Sequence, residues 1–423
     1  MAHHHTTGEL MSWELIVAAV IFVATYVLIS LRRLPGIEVG MHTAALIGAT
    51  AMLVFGIVSL GLAWESLDLD VLFLLLGMML LVASLDACGF FEIIANVLVH
   101  RVPDGRHLLV RVMVLSAVLS ALMLNDAVVL ILTPAVIRCC KVLKSDPIPY
   151  LIGVFISANI GSCATIVGNP QNAYIATHAD IGFMDFTLEM LPMTATCLLV
   201  STVLMLILFR RRLDITAMEG CKSQIPDRPR LYATVIVTVC TIVMFALSSI
   251  LNVKLTAIAM TGGCLALIVV STKGKNVFTH VVRRVDWSVL LFFIGLFVIM
   301  SGAVSSGLVD VIASLFPGFD DGSPSPMELT VFSVILSNLI SNVPSVILIG
   351  DMIPHASTSL WLILSASSTL AGNLTLIGAA ANVIVSEEAE KEGIRFDFRK
   401  YLATGIPISL ATLAVMYVFL VLL

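Results

Sequence analysis

Charge is what this sequence has least of. Asp, Glu, Lys and Arg make up only 12% of 423 residues, against roughly a quarter in soluble domains. Hydrophobic residues make up 59% and the mean hydropathy is +1.06, so the composition is that of a polytopic membrane protein. Net charge of −5 therefore says little beside where the charges fall. The eight cysteines are scattered, with no CxxC and no Cys/His cluster, which implies neither a disulfide framework nor a zinc site. GxSxG, HExxH and GxxxxGK[ST] are all absent. Nucleophilic, zinc-dependent and ATP-driven readings thus lack their residues, no enzyme is expected, and no cofactor or nucleic-acid partner is implied. No cleavable signal pattern is present. Residues 1–12 open with MAHHHTTGEL, which reads as an expression tag before native sequence at Met11.

Long apolar runs are there instead. Stretches of the length a bilayer needs, about 20 residues, fall at 13–31, 42–63, 70–88, 148–177, 188–209, 231–250, 255–271, 287–306, 361–385 and 402–423. Two further segments, 108–141 and 328–356, are interrupted midway by Asn125-Asp126 and by Ser341-Asn342-Val343-Pro344. Each arm is short for a span, so both read as re-entrant hairpins with polar tips. The expected fold is all-α: about ten spanning helices, two re-entrant hairpins and two discontinuous helices.

The basic residues test this arrangement. With the N-terminus outside and both hairpins returning to the side they left, 22 of the 23 Lys and Arg fall in cytoplasmic loops; only Lys254 falls outside. Turning either hairpin into a full span destroys the bias. The first hairpin then enters from the cytoplasm and the second from outside. Both termini lie outside a cytoplasmic (inner) membrane.

The chain also repeats itself. Asp68, Gly77 and Gly89 map onto Asp286, Gly295 and Gly307 at a shift of 218, and Asn125 maps onto Asn342 at 217. Thr165, Gly168 and Asn172 map onto Thr375, Gly378 and Asn382 at 210. The halves, 13–213 and 229–423, are joined by a charged cytoplasmic linker, 214–228. The first half starts outside and the second inside, so the repeats are inverted. Inverted repeats with discontinuous helices near the midplane are the build of secondary transporters.

Chemistry gathers at the two helix breaks. SCATIVGNPQN (162–172) interrupts the span 148–177, and GNLTLIGAAAN (372–382) interrupts 361–385. Pro170 has no N–H to give and clashes with the preceding turn, so the helix breaks just before it. Irregular backbone at membrane depth survives only inside protein or beside a watery cavity. Asn125, Asp126, Thr165, Gly168, Asn169 and Asn172 are the expected half-site of the first repeat. Ser341, Asn342, Thr375, Gly378 and Asn382 are its inverted partner. Free carbonyls there suit Na⁺, with candidate positions at Asn125, Asp126 and Gly168 and at Ser341, Asn342 and Gly378. Asp126 is the only acid expected near the axis, and an intramembrane carboxylate is costly enough to be functional by default. It couples to Na⁺ or H⁺. Blander roles compete: Gly77, Gly168, Gly295 and Gly378 as close-packing positions, the asparagines as interhelical glue, Asp126 as a structural carboxylate, Cys163 as a small apolar filler.

NDAVVLILTP (125–134), NIGSCATIVGNPQN (159–172), SNVPSVILIG (341–350) and AGNLTLIGAAANVIVSE (371–387) together resemble the ion transporter superfamily, in its ArsB/NhaD/YbiR-like permease branch, related to divalent anion/sodium symporters. The resemblance covers nearly the whole chain after residue 12. It implies an elevator-type homodimer with a scaffold at 13–63 and 231–271 and a transport domain at 70–213 and 287–423. The symporters carry Ser-Asn-Thr at both tips, whereas the tips here are Leu124-Asn125-Asp126 and Ser341-Asn342-Val343. The leading expectation is a secondary active transporter of a small inorganic anion or arsenite-like species, driven by Na⁺ or H⁺. A Na⁺/H⁺ antiporter and a carboxylate/sodium symporter are the alternatives. A channel fits less well than alternating access, given repeats of this length.

Overall fold

The computed structural model describes residues 13–31, 33–34, 37–38, 40–99, 103–213, 228–272, 275–316, 318–319 and 322–422. The expected tag and nearly all of the linker 214–228 lie outside the described residues. In chain order the first half comprises α1 (Trp13–Leu31), two paired dipeptide strands β1 (Arg33–Leu34) and β2 (Ile37–Glu38), α2 (Met41–Val54), α3 (Leu60–Glu65), α4 (Leu69–Ala87), α5 (Phe90–Val99), α6 (Gly105–Leu122), α7 (Asn125–Leu143), α8 (Ile148–Ser162), α9 (Pro170–His178) and α10 (Phe183–Leu208). The second half runs α11 (Arg228–Leu251), α12 (Leu255–Ser271), α13 (Lys275–Arg284), α14 (Trp287–Ser305), α15 (Leu308–Ser314), α16 (Pro326–Ile340), α17 (Asn342–Met352), α18 (Thr358–Ala371), α19 (Ala380–Lys391) and α20 (Phe398–Tyr417).

This is an all-α polytopic membrane protein. Among the described residues, six helices are long and apolar enough to cross a bilayer: α4, α6, α10, α11, α14 and α20 with its π-helical extension to Leu422. The apolar run 42–63 is not one span. α2 stops at Val54, Gly56 adopts φ +73°, and α3 restarts at Leu60 behind Ser59, whose hydroxyl accepts the Leu62 N–H. α6 is longer than the hydropathy of its arm suggested, because Asp104 caps it at Gly105, ahead of the apolar run.

The repeat is visible in the elements. α4 and α14 have the same length and begin 218 residues apart. Each ends at a glycine with positive φ, Gly89 (+81°) and Gly307 (+76°), which starts the next short helix. α7 and α17 begin at Asn125 and Asn342.

The chain divides into two compact units. One holds 1–69, 287–325 and 347–356, with α1, α2 and α14 packed on one another. Tyr26 bonds Met300 Sδ at 3.5 Å, and a methyl on Gly295 would come within 2.7 Å of the Ala45 carbonyl carbon. The other unit holds 70–286, 326–346 and 357–423. Here α4 passes α12 just as closely, a methyl on Gly77 falling 2.4 Å from the Ala259 carbonyl carbon. Gly77 and Gly295 therefore do serve close helix packing. Asp70 takes a bond from Lys254 at 2.9 Å, Asp86 pairs with Arg284, and an apolar cluster of Ala83, Cys88, Leu231, Val270 and Val281 ties α4 to α11, α12 and α13.

Candidate functional site

The second unit carries two interrupted helices built to one plan. α8 ends at Ser162 and α9 begins at Pro170; α18 ends at Ala371 and α19 begins at Ala380. Each break is closed by one asparagine. Asn172 Nδ2 donates to the carbonyls of Ser162 and Thr165, both at 2.9 Å. Asn382 Nδ2 donates to the carbonyls of Gly372 and Thr375 at 2.6 and 2.9 Å. Every atom of the second set lies 210 residues after its counterpart. Both asparagines are fully buried. They supply the Ser162 and Gly372 carbonyls with partners that the broken ladder would otherwise leave unmet, and give a second donor to Thr165 O and Thr375 O, which already accept the Gly168 and Gly378 N–H at 3.4 and 3.2 Å. Gly168 and Gly378 sit where backbone crowds: a methyl on Gly168 would lie 2.4 Å from Ser162 O, and one on Gly378 2.9 Å from Gly372 O.

The breaks are also bonded to each other. Asn159, buried in the last turn of the apolar α8, donates to Asn373 Oδ1 and Asn382 Oδ1, both at 2.9 Å. Its own Oδ1 accepts Asn125 Nδ2 at 3.3 Å. At the equivalent position of α18, Thr369 Oγ1 accepts Gln171 Nε2 at 3.0 Å and Asn169 Nδ2 at 3.5 Å. Ser365 adds a bond to Asn172 Oδ1 at 2.8 Å. Each half thus reaches into the break of the other.

The hairpin tips meet this network. Asn125 opens α7 and its Oδ1 accepts the Asp126 N–H at 2.8 Å. Asp126 is half-buried in the first turn of α7, where the helix dipole favours a negative charge. Thr165 Oγ1 bonds Ala121 O at the end of α6, at 2.6 Å. In the second half Ser341 turns the chain at φ +79°, a left-handed conformation that a non-glycine residue adopts only when its surroundings hold it. In the orientation that satisfies its amide, Asn342 donates to Ser368 O at 3.0 Å and Gly378 O at 3.1 Å. Thr375 Oγ1 bonds Asn338 Oδ1 at 3.1 Å.

The structure therefore links Asn125, Thr165, Asn169, Asn172, Asn342, Thr375, Gly378 and Asn382 through buried bonds, with Asp126 and Ser341 at the tips. Sequence reasoning missed Asn159, Ser162, Ser365, Thr369 and Asn373. A lone polar residue in an apolar run reads as interhelical glue; the 210-residue shift pairs Asn159 with Thr369, a signal for those two, and gives none for the other three.

The chemistry on offer is amide, hydroxyl and backbone. None of the amide and hydroxyl bonds described above goes to a Lys or Arg. α19 has no side-chain cap bond, so its first N–H groups are available to an electron-rich ligand. At α7 the Asn125 side chain already takes the Asp126 N–H, and α9 opens on Pro170, which has no N–H. No cluster of three or more His, Cys, Asp or Glu fit for a metal occurs among the described residues. Away from the site, Lys141 at the end of α7 holds Glu392 after α19 at 2.5 Å, and this bond keeps the Glu392 carboxyl below its usual range. At the mouth of α6, the His107 N–H followed by its ring holds the Asp104 carboxyl low.

Residues 26–360 match the family model described as citrate transporter, CitMHS. The silicon efflux transporter LSI3 of Oryza sativa subsp. japonica is 29% identical, over 95% of this chain and 96% of its own. A 46 kDa membrane protein of Mycobacterium leprae is 30% identical over 96% and 98%. A transporter named arsB in Dictyostelium discoideum is 25% identical over 92% and 88%. Among solved structures, the YdaH transporter of Alcanivorax borkumensis aligns with a TM-score of 0.58 at 15% identity, over 96% of this chain and 97% of that one, a likeness of fold alone.

Proposed function

This chain belongs to the CitMHS citrate transporter family, a family of membrane transporters and not of enzymes, and from that premise we propose that it moves a small, uncharged, hydroxyl-rich oxyacid of the arsenous or silicic acid kind by elevator-type alternating access. The carrying observation is the buried network from Asn125 through Asn159 to Asn373 and Asn382, which is made of neutral groups. Amides and hydroxyls match a cargo that both donates and accepts hydrogen bonds. A multiply charged carboxylate would bury several charges with no Lys or Arg among these bonds to meet them, and would depend on co-bound cations and helix N-termini. The names of the rice and Dictyostelium relatives point the same way.

In this reading Asn125, Thr165, Gly168 and Asn169 form one half of the cargo site and Ser341, Asn342, Thr375 and Gly378 the other, with Asn172 and Asn382 shaping the two breaks around it. Asp126 binds the coupling ion, Na⁺ or H⁺, with Na⁺ positions at Asn125, Asp126 and Gly168 and at Ser341, Asn342 and Gly378. α6–α7 and α16–α17 are re-entrant hairpins, entered from the cytoplasm and from outside respectively. The protein is a homodimer in the cytoplasmic membrane with both termini outside. α1, α2, α11 and α12 form its static scaffold. The backbone contacts Gly77–Ala259 and Gly295–Ala45 argue for adding α4 and α14 to that scaffold, rather than to the moving part where the resemblance put 70–88 and 287–306.

Flux into proteoliposomes under imposed pH or Na⁺ gradients tests the reading. Gradient-driven movement of arsenite without movement of citrate is expected. Citrate uptake with Na⁺ and no arsenite flux overturns it in favour of a carboxylate symporter, the reading the family's description favours. Exchange of Na⁺ for H⁺ with neither cargo makes it an antiporter.

A further inference from the structure

The two hairpins spend their buried hydroxyls differently: Ser116 on α6 is bonded where its counterpart Ser333 on α16 is not, and the reverse holds one turn on. In the second, Ser337 Oγ on α16 bonds Ser345 Oγ on α17 at 2.8 Å, and Ser345 passes its own proton to Asn342 O at 2.8 Å. The shift of 217 that maps Asn342 onto Asn125 maps Ser337 onto Ser120 and Ser345 onto Val128. Val128 is fully buried and offers no polar atom. Ser120 is fully buried as well, and its Oγ has no hydrogen-bond partner. The first hairpin has kept the hydroxyl and lost its acceptor.

Four contacts show where Ser120 lies. Ser116 Oγ bonds Val154 O at 2.8 Å, Ala117 backs directly onto Gly161, a methyl on Gly168 would touch Ser120 O at 2.8 Å, and Thr165 Oγ1 bonds Ala121 O. The final turn of α6 therefore runs along α8 and arrives at the break just where the tip begins. An unmet buried hydroxyl is costly, because it loses water and gains nothing in return. Ser120 sits where the end of α6 meets the first helix break, and its hydroxyl is a donor there that no protein group uses.

Resting on the reading of this region as the cargo site, we propose that Ser120 is a cargo-binding residue: its hydroxyl hydrogen-bonds a hydroxyl of the transported oxyacid, and Val128 keeps it free to do so. The site is then unequal. The first half presents a free hydroxyl one turn before its tip, and the second half spends the equivalent hydroxyl on holding the hairpin together.

Two variants in the full-length protein test this, read by thermal unfolding and by arsenite flux in proteoliposomes. Ser120→Ala removes no bond from the empty protein, so its melting temperature holds or rises, while the arsenite concentration for half-maximal flux rises about three- to tenfold, the worth of one neutral hydrogen bond. Val128→Thr keeps the shape of valine and supplies the missing acceptor. It captures the Ser120 hydroxyl, stabilises the protein and raises the same half-saturating concentration. A melting temperature more than about 2 °C lower for Ser120→Ala shows that the hydroxyl already has a structural partner and overturns the proposal. Unchanged half-saturation in Ser120→Ala, with wild-type flux intact, overturns it while leaving the proposed function standing. Absence of arsenite flux in the wild type fails the functional reading itself, and the proposal with it.

Discussion

The helix breaks and the hairpin tips have aged differently. At the breaks, Asn172 and Asn382 make the same pair of bonds to the same pair of carbonyls, 210 residues apart. At the tips, equivalent positions have parted company. Thr165 reaches the backbone oxygen of Ala121, and Thr375 reaches the side chain of Asn338, which stands at the matching place. Asp126 faces Val343 in the alignment of halves, and Val128 faces Ser345. A bond from side chain to backbone survives sequence drift because its acceptor is present whatever residue stands there. A bond between two side chains lasts only while both remain. Each break is closed by the durable kind, whereas the tips mix the two kinds, Thr165 and Asn342 bonding backbone and Asn125 and Thr375 bonding side chains, and the difference between the halves is concentrated there.

The sharpest way to break this comparison is at Asp126. Asp126→Asn should abolish gradient-driven flux, a loss of at least about 100-fold if a dedicated charge carries the coupling, with the protein still folded and dimeric by size-exclusion chromatography. Val343→Asn, the matching change in the other half, should leave coupling in place. Normal transport by Asp126→Asn, with unchanged dependence on pH and Na⁺, would make the tips equivalent after all.

Next come the breaks. Asn172→Ala and Asn382→Ala each leave one buried carbonyl unmet, Ser162 O and Gly372 O respectively, and each should cost about 1–3 kcal/mol of stability. Equality is the informative part: chemical or thermal unfolding that separates the two by more than about 1 kcal/mol would show that the breaks are not one device used twice.

A smaller effect is expected at the second tip. Asn342→Ala should weaken cargo binding about tenfold, near the worth of one or two buried amide bonds, with little change in coupling ratio. Measured as half-saturation of arsenite flux, an unaltered value removes Asn342 from the site.

The smallest effect separates the hairpins by pH. α6 is capped by Asp104, half-exposed and held below its usual pKa, whereas α16 starts at Pro326, which needs no titratable cap. A depressed carboxyl stabilises the folded state above its unfolded pKa of about 3.9. That contribution is lost as the pH falls through the lower folded value. Protection from hydrogen exchange in the first turn of α6, relative to the intrinsic rate at each pH, should fall below about pH 4 by an amount corresponding to less than about 1 kcal/mol, and Asp104→Asn should remove the dependence. The start of α16 should show none.

Much of this architecture could be read from residue order. The paired starts of α4 and α14 were marked by Asp68 and Asp286, and the breaks by Pro170 and by polar clusters that no spanning helix tolerates. Local rules sufficed there, because each signal sits on the residue that causes it. Where a feature depends on a partner elsewhere in the chain, it stayed hidden. Asn159 looked like any isolated asparagine until its bonds to Asn373 and Asn382 placed it between the halves. The short helices α3, α5, α13 and α15 were lost within longer hydropathy windows or in loops, since hydropathy registers composition and not a turn at Gly56, Gly89 or Gly307. The vacancy at Ser120 was invisible for the same reason: it consists of what Val128 lacks.

The asparagines of the breaks have a consequence for redesign. Asn172 and Asn382 commit both of their amide hydrogens to backbone, so neither has a donor left to distinguish one passenger from another. The loops they close are generic parts, set before any passenger is chosen. A mutant library that varies 124–128 and 341–345 while freezing 172 and 382 should therefore hold most of its members in a folded state, and alter what is carried without rebuilding the machine that carries it.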